Sequence, residues 1–120
     1  MDEKTLYNTP IVNSWGAVTF VNHTGLITPD HKTAVIMLDK DNKPRHLDEA
    51  NADPIGTKGL IVLVRRTGDP RPTEAEIEMC KAWKDAAGSD VVLVDFIIMC
   101  GGSHYSFATE KVEGPGPKGF

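Results

Sequence analysis

Two short apolar runs, "GLIVLV" (Gly59 to Val64) and "DVVLVDFIIM" (Asp90 to Met99), flank a single amphipathic pattern. Both are of strand length and rich in β-branched residues, so they read as buried strands, the first of them central. Between them Ile77, Cys80, Trp83 and Ala87 recur at spacings of three and four, while Glu74, Glu78, Lys81, Lys84 and Asp85 fall elsewhere. That is the periodicity of a helix with one buried face. Its start is marked by Pro72, by Thr73 as N-cap and by Glu76 at the third helical position, which completes the Thr-x-x-Glu capping box. Gly88 stands where a helix ends. A strand, a capped crossover helix and a second strand restrict the chain to α/β or α+β architecture, with helices packed on a mixed sheet.

The flanking segments complete the expected sheet. "WGAVTFV" (Trp15 to Val21) alternates and is rich in β-formers, which predicts a strand ended by the turn-prone Asn22-His23-Thr24-Gly25. "TAVIMLD" (Thr33 to Asp39) predicts another, and "KDNK" then turns into a short polar strand "PRHLDE" to make a hairpin. Ala50 to Gly59, with Pro54 and Gly56, reads as a short loop. After "CGGSH", a hairpin turn, "YSFATE" closes the sheet. Residues 1–13 read as an irregular arm, 14–112 as the domain, and 113–120, with "EGPGPKGF", as a flexible tail.

At 120 residues the chain is one domain's worth and long enough to bury a core unaided. The net charge of −4 argues against broad, sequence-independent binding to duplex nucleic acid, which needs a dominant excess of Lys and Arg. Cys80 and Cys100 have no metal-finger spacing and read as buried thiols. The start "MDEKTLYNTP" has no apolar signal core and no stretch approaches membrane-spanning length. The expectation is a cytoplasmic protein of a bacterium, phage or mobile element, with no membrane partner.

The combination of "GDPRPTEAEIEM" with the later "VLVDFIIMCGGSHYSF" resembles the JAB/MPN-type domain of RadC-like proteins, over roughly Thr33 to Phe107. In that family a strand leads to His-x-His-Pro-Ser-Gly-Asp-Pro-x-Pro-Ser and a helix, and a later strand carries Asp-His-Ile-Ile before a Gly-rich hairpin and Ser-Phe. The resemblance implies a cytidine-deaminase-like fold, a curved mixed sheet with packed helices, and a zinc metallopeptidase (JAMM-type) site. Two histidines and an acidic side chain would hold the metal, and a separate glutamate would act on its water.

Carried over residue by residue, the two histidines fall on Leu63 and Arg65, and the acidic ligand on Glu76. The proline after the second histidine is Arg66, the serine before the helix is Thr73, and the histidine of Asp-His-Ile-Ile is Phe96. The upstream glutamate falls near His31, beside Asp30 but with no carboxylate in register. The helix that usually precedes the His-x-His strand has room here only for a short loop, and the N-terminal helix-hairpin-helix region common in RadC-like proteins is missing. These positions are vestigial metal-site positions, and the resemblance implies no catalytic residue, no metal and no cofactor for this chain.

Arg65, Arg66 and Arg71 crowd the same loop with Asp69. They are candidates for binding an anion or a partner beside a helix N-terminus, or else a solvated loop paired with Asp69 or Glu74. Asp69 also suits a side chain that orders its own turn. Glu76 is better accounted for by the capping box, which explains it without a metal. His31, His46, His104 and Cys100 have no ligand spacing, and Ser103 and Ser106 have no partnered base in sequence. Three functions stay open. The first is an inactive RadC/JAB-like domain that binds a protein partner or a second copy of itself, linked to DNA repair or mobile-element biology. The second is a metal-dependent hydrolase with an altered site, and the third a nucleic-acid accessory protein.

Overall fold

In the computed structural model, which describes residues 2–114, the chain forms an α+β fold. Five strands make one mixed sheet in sequential order: β1 (Thr33–Leu38), β2 (Gly59–Arg65), β3 (Val92–Cys100), β4 (Ser103–Ser106) and β5 (Lys111–Glu113). β2 and β3 run parallel, joined by helix α4 (Glu74–Ala87), and the other neighbours are antiparallel. The parallel pair is the crossover that the two apolar runs predict. Its strands are buried on both faces, hence their near-continuous hydrophobicity.

Side chains of β2 and β3 alternate between two cores. Ile61, Leu63, Ile97 and Met99 join Ala34, Ile36 and Leu38 on one face, beneath helix α2 (Ser14–Thr24). Val62, Phe96, Ile98 and Cys100 point the other way, toward Cys80 and Trp83 of α4. A bulge at Val94 shifts the register from Leu60↔Leu93 to Ile61↔Asp95.

Four expectations are corrected. Trp15 to Val21 is no strand: it lies within α2. Ser14, Ala17, Val18, Phe20 and Val21 are its buried residues, one helical face that a seven-residue window shows as alternation. The Asn13 side chain caps the helix by accepting from the Gly16 N–H, and Gly25 ends it with φ of 72°. "PRHLDE" makes only one bridge, Leu38 with Pro44, before helix α3 (Leu47–Ala52) begins. Pro44 lacks the N–H a longer ladder needs.

The expected loop from Ala50 therefore holds the end of α3 and a 3₁₀ turn at Pro54–Gly56. The N-terminal arm is not irregular either, since Glu3–Tyr7 form helix α1, capped by Asp2. Leu6 and Ile11 enter the core, and Tyr7 stacks on His46 with ring centroids 3.6 Å apart. At the other end "YSFATE" divides into β4 and a turn, and β5 follows. The proposed tail beyond Gly114 lies outside the described residues.

Candidate functional site

The loop from Arg66 to Thr73 carries the sequence's most distinctive residues. Gly68 has φ of 95°, which permits the reversal that brings the chain from the end of β2 back over the N-terminus of α4. Asp69 holds this turn, its Oδ1 accepting from the Arg71 N–H at 2.9 Å and its Oδ2 from the Arg71 guanidinium at 2.9 Å. Both side chains of that ion pair are largely exposed. The Arg71 N–H holds the Asp69 carboxyl below its ordinary range.

Glu76 is buried at 6% relative exposure despite its charge. The capping box is present: the Glu76 N–H donates to Thr73 Oγ1 at 3.2 Å, and the Thr73 N–H donates to Glu76 Oε1 at 2.9 Å. The carboxylate also receives a two-pronged ion pair from Arg66, Nε to Oε2 at 2.6 Å and Nη2 to Oε1 at 2.9 Å. Such parallel charge-assisted bonds are the strong class of salt bridge. The Arg66 guanidinium, before any other cause, depresses the Glu76 carboxyl below its ordinary range.

Arg66 is saturated. Its Nη1 donates to the carbonyls of Thr67 at 3.1 Å and Asp69 at 2.7 Å and lies 3.4 Å from Cys100 Sγ, and its Nη2 donates to the Arg71 carbonyl at 2.9 Å. With the two bonds to Glu76, every one of its N–H donors has a partner inside the chain. The guanidinium is the hub that ties β2, the loop, α4 and β3 together, and it has no donor left for an external anion. Burial keeps the Cys100 thiol raised despite this cation.

The three positions aligned with a metal site do not converge. Leu63 is fully buried on the α2 face, whereas Glu76 belongs to the helix packed on the other face, and Leu63 has no donor atom. Arg65 is exposed at the end of β2 and carries positive charge, and Glu76 already holds Arg66. These residues do not fit a zinc ion. Among the described residues, no group of three or more His, Cys, Asp or Glu is arranged to hold a metal.

Arg65 and Arg66 are adjacent in sequence but separate in space. Arg66 turns into the loop, while Arg65 lines a cleft with Trp15, Asn22 and Ser103 between α2 and the β3–β4 hairpin. His104, in the wall of that cleft, is 1% exposed; its Nε2 lies 2.8 Å from Ser14 Oγ and its Nδ1 has no partner. Burial lowers its pKa and keeps the ring neutral. Ser106 gains a partner that its sequence position does not disclose: its hydroxyl donates to Asp95 Oδ2 at 2.6 Å, while Asp95 Oδ1 accepts from the N–H groups of Phe96 and Ala108. This pins the turn after β4 to β3. Burial raises the Asp95 carboxyl.

The sequence reading misses the Arg66–Glu76 pair and the contacts His104–Ser14 and Asp95–Ser106. For the last, the alternation of β3 and β4 across a two-residue turn carries the signal, since Ile97 pairs with Ser106. His31 is exposed, its ring 3.5 Å from Thr28 Oγ1. No family model and no curated protein matches the chain. No helix among the described residues is long and apolar enough to cross a membrane.

Proposed function

We propose that the chain is a RadC-like JAB/MPN domain of cytidine-deaminase-like fold in which an internal ion pair replaces the metal site. It works by binding a protein partner or a second copy of itself. One observation carries the reading: the Arg66 guanidinium grips the Glu76 carboxylate by two bonds. A cation built into the chain neutralises the acid that the resemblance assigns to the metal. A metal ion would have to break both bonds from that guanidinium to the carboxylate, at roughly 1–3 kcal/mol for each group left without a partner. The order of β1, β2, α4, β3 and the Gly-rich hairpin is the order the resemblance implies, which supports the fold assignment.

The test is the metal content of protein purified without a histidine tag and equilibrated with zinc. The expected result is far less than one zinc per chain, unchanged in Glu76→Gln, with no hydrolysis of peptide or isopeptide substrates. One tightly held zinc per chain, lost in Glu76→Gln, overturns the reading and restores a hydrolase. Mass measurement in solution and affinity capture from the host then separate a second copy from a different protein as the partner.

A further inference from the structure

We propose that the cleft between α2 and the β3–β4 hairpin binds an organic carboxylate, with Arg65 as the residue that receives the charge. The cleft has a volume of about 260 Å³, enough for a small acid or for the last residue of a peptide. It is lined by Trp15, Asn22, Arg65, Met99, Gly102 and Ser103, with no carboxylate among its lining residues. Arg65 is exposed, and among the described residues its guanidinium has no ion-pair partner, unlike Arg45, Arg66 and Arg71.

The backbone of Arg65 is nevertheless fixed. Its N–H donates to the Lys32 carbonyl at 2.7 Å, and it pairs with Met99 across the sheet. The planar guanidinium fork on this anchored backbone matches a planar, two-oxygen anion. The adjoining His104 is buried, its Nδ1 shielded from solvent and without a partner, so it contributes wall and no charge to the cleft.

The ligand class follows from the count of charges and from the walls. A single arginine among the lining residues matches a singly charged anion better than a phosphate dianion. The Trp15 ring, packed edge-on against His104 with centroids 4.6 Å apart, and Met99 offer an apolar surface beside that charge. An aromatic or aliphatic acid fits this combination, whether free or as the C-terminal carboxylate of a peptide. The proposal gives the binding-module reading a ligand class and rests on that reading only for its biological sense. The cleft is separate from the Arg66–Glu76 pair, so zinc content and cleft binding fail independently.

The experiment is a titration of the ¹⁵N-labelled full chain, following the Trp15 indole N–H and the amides of Gly101, Gly102 and Ser103. The probes are phenylacetate, neutral phenylacetamide, and acetyl-Gly-Phe with a free or an amidated C-terminus. Saturable shifts are expected with at least one acid and not with its neutral counterpart. Which acid binds more tightly identifies the source. Arg65→Gln, an exposed substitution, should weaken binding at least tenfold with unchanged melting, and Arg71→Gln should leave it unaltered. Equal shifts with acids and amides, shifts centred on Arg71, or an Arg65→Gln protein that titrates like the parent each overturn the proposal.

Discussion

At the scale of single residues the loop is organised by Arg66 and Glu76, and their interdependence is measurable. A capping box alone is worth about 1 kcal/mol, the usual cost of losing an N-cap. Glu76 does more, because it also neutralises a largely buried guanidinium. Glu76→Ala is therefore expected to cost about 2–3 kcal/mol, toward the lower end of the penalty for breaking a buried pair, because Arg66 retains its carbonyl partners. Thr73→Ala should cost about 1 kcal/mol. In a double-mutant cycle Arg66→Ala and Glu76→Ala should be clearly non-additive, as expected for residues in direct contact. Urea unfolding of the two single mutants and the double settles it. A stabilising Glu76→Ala would mean that the carboxylate waits for something other than Arg66.

At the scale of elements, α2 shows where local sequence and tertiary structure part company. Its N-cap and its left-handed C-cap glycine define it, so both should be worth energy. Asn13→Ala removes the bond to the Gly16 N–H and is expected to cost about 1 kcal/mol. Gly25→Ala should cost a further ~1 kcal/mol because its φ of 72° disfavours any Cβ. Chemical denaturation with far-ultraviolet dichroism reads both, and a neutral effect at both sites would argue against the helix. The parallel pair and α4 were legible because burial on both faces and a capping box leave few alternatives. α2 was not, because aromatic and β-branched residues favour strands locally and only the sheet surface beneath Ala17 and Val21 decides for a helix. Short α3 and β5 have too few residues for any period to show. At the site, Thr73 and Glu76 could be read as a cap because their contact is local, whereas the distance from Arg66 to Glu76 depends on a turn that the sequence only partly specifies.

At the scale of the whole molecule, two buried titratable groups on the α2 face give stability opposite dependences on pH. His104 is neutral in the fold because burial lowers its pKa, while in the unfolded chain it takes up a proton near pH 6.5. Its contribution is complete above that value and is lost as pH falls through the lower, folded pKa, since the unfolded chain then binds the extra proton. Asp95 behaves in the reverse sense. Burial raises its folded pKa, so its contribution is complete below the unfolded value of about 3.9 and is lost as pH rises through the folded one. Acidification below about pH 6.5 therefore destabilises through His104, Asp95 acts in the opposite sense as pH falls through its own raised pKa, and Glu76, whose pKa is depressed, adds its own loss only below about pH 4.5. Substitution separates the terms. His104→Gln should flatten the decline that begins below about pH 6.5, whatever it does to the absolute stability, and Asp95→Asn should abolish the gain that accompanies acidification through the raised Asp95 pKa. Urea midpoints measured at half-unit intervals for the three proteins decide this. A His104→Gln profile parallel to that of the parent would mean that the imidazole takes up its proton equally in the folded and unfolded chain, and that its burial does not hold it neutral.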